Sequence, residues 1–133
     1  MKKQLIIYVV IILTIFFVSC SKEAGEGGNS SIYGTIWVKD YNSSFTVLNA
    51  YYLSQDDDVY IIYDDDKGFS DRTRTNYKGV YSFKYLRQGT YIIYVYSKDS
   101  TLHSPSGIIP MIDTVKITKN NQNVKVPDIT IFN

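Results

Sequence analysis

The stretch Gly79–Tyr96, "GVYSFKYLRQGTYIIYVY", constrains the fold more than any other part of the chain. Large apolar residues recur in it at every second position, the period of a strand, and two glycines punctuate it. Alternation puts Tyr81, Phe83, Tyr91, Ile93 and Val95 on one face. It puts Ser82, Lys84, Thr90, Ile92, Tyr94 and Tyr96 on the other. The first set reads as core. Gly79 and Gly89 fall at hairpin ends, where positive φ is expected. The same phase turns Ile36, Val59 and Ile61 inward and leaves Tyr33, Trp37, Tyr60 and Ile62 outward.

No segment after Ser31 carries a helical period, whereas short runs of β-formers recur between turn residues. Seven runs read as strands: 32–38, 58–63, 69–75, 80–85, 90–97, 112–118 and 123–132. The breaks "DDDKG", "NYKG", "LRQG", "SPSG" and "KNNQN" each carry Gly, Asn or Asp, the residues of turns. Seven short strands in about 100 residues predict an all-β, seven-stranded antiparallel sandwich of the Ig-like or prealbumin-like kind over 32–133. Residues 39–57 are long for a connection, and are read as holding an extra edge strand or a short helix around Val47 to Leu53. Pro127 lies inside the last run and removes a ladder donor, which predicts an edge strand or a bulge there.

The N-terminus reads differently. Lys2 and Lys3 precede an unbroken apolar run from Leu5 to Val18, the arrangement of a secretory signal. A spanning helix needs about twenty apolar residues, and this run is shorter. Phe17-Val18-Ser19-Cys20 closes it and resembles the lipobox of bacterial lipoproteins, with Phe17 where Leu is usual. The resemblance implies cleavage after Ser19 and lipidation of Cys20, the only cysteine. Acyl chains add about 0.8 kcal/mol per buried methylene, so several of them anchor a chain stably. Residues 1–19 are therefore read as signal peptide and 20–31 as lipidated cysteine plus flexible tether, since "SKEAGEGGNSS" has no large apolar residue. Glu23 and Glu26 loosely resemble the acidic export signal of Bacteroidetes surface lipoproteins. The expected location is the outer membrane, with the periplasmic and the surface-exposed leaflets both open.

Loss of Lys2 and Lys3 with the signal leaves 12 basic residues against 13 acidic. That balance argues against a nucleic-acid binder, which would show a basic face. With one cysteine there is neither a disulfide framework nor a thiolate metal site.

The stretch "DVYIIYDDDKGFSDRTRTNYKGVYSFKYLRQGTYIIYVYS" resembles the carboxypeptidase regulatory-like modules, within the transthyretin-like and Cna-B-like sandwiches. The matching positions are Thr73-Arg74-Thr75, Gly79, Tyr81, Phe83, Leu86, Gly89, Tyr91, Ile93 and Val95, with Gly34 and Ile36 in the first strand. The resemblance implies the sandwich fold and a structural or adhesive accessory role. It implies nothing about chemistry.

The outward aromatics are unusual for a sandwich surface. If their strands share a sheet, Tyr33, Trp37, Tyr60, Tyr94 and Tyr96 form one exposed patch, joined by Arg72 and Arg74 if the third run pairs there. Exposed apolar patches mark interaction sites, and Tyr, Trp and Arg are enriched at hot spots. The opposing reading is that residues 39–57 fold over this face and bury it. Asp56–Asp58 and Asp64–Asp66 flank one strand, about 16 Å apart along it, too far to share one calcium ion. His103 has no second histidine, and Ser104, His103 and Asp113 lack any nucleophile motif. The internal Lys–Asn bond that the resemblance to Cna-B-like domains raises needs a buried carboxylate, and with no Glu after Glu26 an Asp would have to stand in. The sequence thus predicts no catalytic residue, metal or cofactor. It predicts a lipid-tethered, non-enzymatic module that binds an unidentified protein or glycan through the aromatic face. The alternative is a structural subunit of a fimbrial or envelope assembly, working by strand addition.

Overall fold

The computed structural model describes residues 23–133; the expected signal peptide and the lipidation of Cys20 lie outside the described residues. Nine strands follow in order: β1 (Glu26–Tyr41), β2 (Leu48–Leu53), β3 (Asp58–Tyr63), β4 (Asp71–Arg74), β5 (Val80–Leu86), β6 (Gly89–Lys98), β7 (Ile108–Ile117), β8 (Asn123–Lys125) and β9 (Ile129–Phe132). Among the described residues there is no helix.

The strands make two sheets. In the first, β1 is the spine: its early half lies between β5 and β8, its later half between β2 and β9. The second runs β4-β3-β6-β7, antiparallel throughout. Their inner faces meet over Ile32, Ile36, Val59, Ile61, Phe83, Ile93 and Val95, all buried. The alternation that places these residues inward is the one legible in the sequence. Each such side chain contributes roughly 1.5–3 kcal/mol by leaving water. Gly34 pairs with Tyr81 across β1 and β5, and the Tyr81 ring lies over it. A Cβ at Gly34 would sit 2.5 Å from the Tyr81 hydroxyl, so the missing side chain makes room for a buried aromatic one. Gly79 and Gly89 adopt the expected positive φ, 68° and 152°, but not at hairpin ends: β4, β5 and β6 alternate between the two sheets, so each glycine turns the chain from one sheet to the other.

Several expectations are corrected. Among the described residues the count is nine strands rather than seven, and the sandwich is not wholly antiparallel, because β8 and β9 both run parallel to β1. Val126-Pro127-Asp128 divides the last expected strand in two; Val126 there donates to the Tyr33 carbonyl at 2.8 Å while its side chain enters the core. Of the two alternatives for residues 39–57, the extra edge strand is the one found: β2 follows the end of β1 and lies at the sheet edge. The tether does not extend to Ser31. Arg87 donates to the Gly25 carbonyl at 2.8 Å, and Gly25 donates to the buried Tyr91 hydroxyl at 2.9 Å. Ala24 packs against the core, and Ser30 is buried while accepting from Gln122 at 3.0 Å. A stretch without large side chains is held by its backbone, which satisfies polar groups that its small residues leave accessible.

Candidate functional site

Residues facing each other across antiparallel strands share a face, so register fixes which outward aromatics meet. Tyr60 opposes Tyr94 across β3 and β6, and Arg72 opposes Tyr60 across β4 and β3. Ile112 of β7 opposes Tyr94 on the other side. One row across the second sheet therefore reads Arg72, Tyr60, Tyr94, Ile112. The Tyr60 and Tyr94 rings stack at 5.0 Å with 11° between their planes. That spacing is close to the strand separation of about 4.8 Å, so the rings turn their faces to each other and stand up from the sheet.

Two further rings flank this ridge. Tyr96 meets Tyr60 edge-on at 5.8 Å and Tyr94 at 5.6 Å. Phe69, from the loop before β4, meets Tyr60 edge-on at 5.2 Å. Tyr60 and Tyr94 are half-buried by these neighbours, whereas Tyr96 is 47% and Phe69 57% exposed. The flanking rings therefore offer the accessible surface and the stacked pair holds them in place. Burial pushes the Tyr94 phenol up, with smaller contributions from the phenols of Tyr96 and Tyr60, so it stays a neutral hydrogen-bonding group.

The rim on the β4 side is charged. Arg74 donates through Nε to Asp58 at 2.9 Å and through Nη1 to Asp56 at 3.2 Å, and these bonds raise its pKa. Arg72 makes one ion pair among the described residues, to Asp58 at 3.5 Å. Arg72 lies opposite Tyr60 in register, and its guanidinium keeps donors beyond this ion pair.

The five expected patch residues do not form one surface. Tyr60, Tyr94 and Tyr96 belong to the second sheet, but Tyr33 and Trp37 lie on β1, in the first. Outer faces of opposite sheets point in opposite directions. Trp37 stacks on Tyr51 of β2 at 4.9 Å and its Nε1 donates to Asp128 at 3.2 Å. The segment 39–57 thus covers Trp37 on the first sheet and leaves the second-sheet ridge open. Arg72 and Arg74 do join that ridge, because β4 pairs with β3. Phe69 was not legible as a site residue, since it sits in the loop after "DDDKG" and its contact with Tyr60 arises only when the hairpin closes.

No protein-family model matches the chain, and no curated protein sequence does. Among solved structures, a protein of Pseudomonas aeruginosa described as a "putative carbohydrate binding protein" is similar, with a TM-score of 0.50. The likeness covers 80% of this chain and 91% of that one at 16% identity. At that identity it shows a shared fold.

The other candidates are held by local hydrogen bonds. Asp57 accepts from Ser54 Oγ, and Asp66 from Ser70 Oγ at 2.6 Å. The Asp99 carboxylate accepts from Thr101 N and Oγ1 and from the backbone of His103 and Ser104. These bonds, the Thr101 hydroxyl first, hold its pKa down at about 2. His103 is an exposed member of that loop, on which Asp99 imposes a shape.

Proposed function

We propose that this chain is a non-enzymatic binding module that holds a glycan on the outer face of its second sheet. The observation that carries the reading is the braced ridge of Tyr60 and Tyr94 with Phe69 and Tyr96 exposed on its flanks. A sugar ring presents an apolar C–H face and a hydroxylated rim. Aromatic rings with electron-rich faces suit the first, and phenols with a guanidinium suit the second. The assignment of the Pseudomonas protein points the same way. A Cys20 lipid would tether the module to the outer membrane, and a transthyretin-like accessory module is the family reading that fits.

Strand addition has less support. The free edge strand β7 carries Pro110, which lacks an N–H, and turns Asp113 toward the inner face, while β4 at the other edge has four residues. Such devices blunt an edge against pairing.

The test is affinity electrophoresis of the full chain through gels containing neutral polysaccharides. Tyr96→Ala and Phe69→Ala should abolish a retardation that Trp37→Ala preserves. Retardation lost equally in all three, or in Trp37→Ala alone, would refute the assignment to the second sheet.

A further inference from the structure

A cleft of about 410 Å³ opens at one end of the sandwich, where β2 and β9 of the first sheet approach the end of β6. Its volume falls in the range of about 300–1,000 Å³ typical of small-molecule sites. The floor is apolar, from Val38, Leu53 and Ile131. The walls carry Tyr52 and Tyr96, each nearly half exposed, and the rim carries Gln55, Asp57 and Lys98. Tyr96 is shared: it lines this cleft and also packs edge-on against the Tyr60–Tyr94 ridge. Tyr96 therefore borders both the platform and the cleft.

The rim chemistry selects the ligand. Asp57 is fixed in place, its backbone N–H donating to Thr75 Oγ1 at 3.0 Å and its Oδ2 accepting from Ser54. Asp57 and Lys98 bring opposite charges that cancel, and Gln55 adds a donor and an acceptor together. A phosphate or carboxylate would meet Asp57 as a like charge, whereas hydroxyl groups can donate to Asp57 and accept from Lys98 and Gln55. An apolar floor beneath a rim of donors and acceptors matches a sugar ring entering edge-first.

We propose that the cleft takes the terminal unit of a neutral oligosaccharide whose following units lie over Tyr96 and the ridge. This rests on the platform reading above and makes the module a reader of chain ends. Internal segments of a polymer reach the platform alone, whereas short chains gain from the cleft as well.

The test is calorimetric titration of the full chain with neutral gluco-, manno-, galacto- and xylo-oligosaccharides of different lengths, beside the matching polymers. Gln55→Ala and Tyr52→Ala alter exposed side chains and should fold normally. Each is expected to weaken trisaccharide binding at least tenfold and polymer binding less than threefold. If both variants bind every oligosaccharide as the parent does, while Phe69→Ala and Tyr96→Ala lose binding, the cleft inference is overturned and the platform stands. If no member of the panel binds the parent chain, both readings fall. Tighter binding of a uronic-acid oligosaccharide than of its neutral counterpart would also overturn the cleft assignment.

Discussion

Replacing Gly34 with alanine tests how neighbouring strands of the first sheet, β1 and β5, fill the core together. The added Cβ would lie 2.5 Å from the Tyr81 hydroxyl oxygen, 2.8 Å from Cζ and 2.9 Å from Cε1. Tyr81 is 1% exposed, so its ring cannot swing into solvent to relieve the contact. Overpacking of this kind costs about 1–3 kcal/mol. For a domain near 100 residues, each kcal/mol moves the melting temperature by about 4–8 °C, so a loss of roughly 5–20 °C is expected. The Tyr81 hydroxyl is buried without a hydrogen-bond partner among the described residues. Tyr81→Phe alone should therefore hold or raise stability, by about 1 kcal/mol at most. It should not rescue Gly34→Ala, because the offending ring carbons remain. Thermal melts of both single variants and the double variant, followed by circular dichroism, complete the cycle. A Gly34→Ala protein that melts with the parent, or a Tyr81→Phe protein destabilised by more than about 1 kcal/mol, would refute the packing described.

Other outcomes follow from the same geometry. Gly79→Ala should destabilise through both a φ of 68° and a Cβ 2.7 Å from the Ile36 carbonyl, read by urea denaturation; an unchanged midpoint would contradict it. The Asp99 carboxyl has a folded pKa of about 2 against an ordinary 3.8, so its contribution is fully present above about pH 4. That contribution is lost as pH falls from there through 2, and Asp99→Asn should flatten this part of the melting-temperature profile. Tyr91→Phe removes the acceptor of the Gly25 N–H and should speed amide exchange across residues 24–28, read by hydrogen exchange. Tyr60→Ala should cost stability modestly, about 0.5–1.5 kcal/mol for the stacked pair beyond lost area, so the variant remains folded for binding assays.

The core was legible because period-two alternation is local. Knowing that Tyr81, Phe83, Tyr91 and Ile93 share a phase requires no knowledge of which strands pair. The site was legible only as a set of outward residues. Assigning Tyr33 and Trp37 to one sheet, and Tyr60, Tyr94 and Tyr96 to the other, depends on pairings far apart in sequence, such as Trp37 with Thr130. The start of β1 was hidden because glycines and serines are held there by backbone bonds, which leave no apolar pattern. β2, with five of its six residues exposed, has no buried face to alternate against. β7 begins at Ile108, before the expected 112, because Pro110 reads as a break yet is tolerated on an edge strand. Tyr52 and Phe69 carry no signal of their own, and their places come from the corner and the hairpin that fold around them.

The central claim is that ligand meets the second sheet. It is tested most directly by aromatic-region nuclear magnetic resonance of the full chain, titrated with the neutral oligosaccharide that binds best. The ring signals of Phe69, Tyr94 and Tyr96 are predicted to shift together and saturably, while the Trp37 indole and the Tyr33 ring stay in place. Saturable shifts confined to Trp37 and Tyr33, with the second-sheet rings unmoved, would contradict the account.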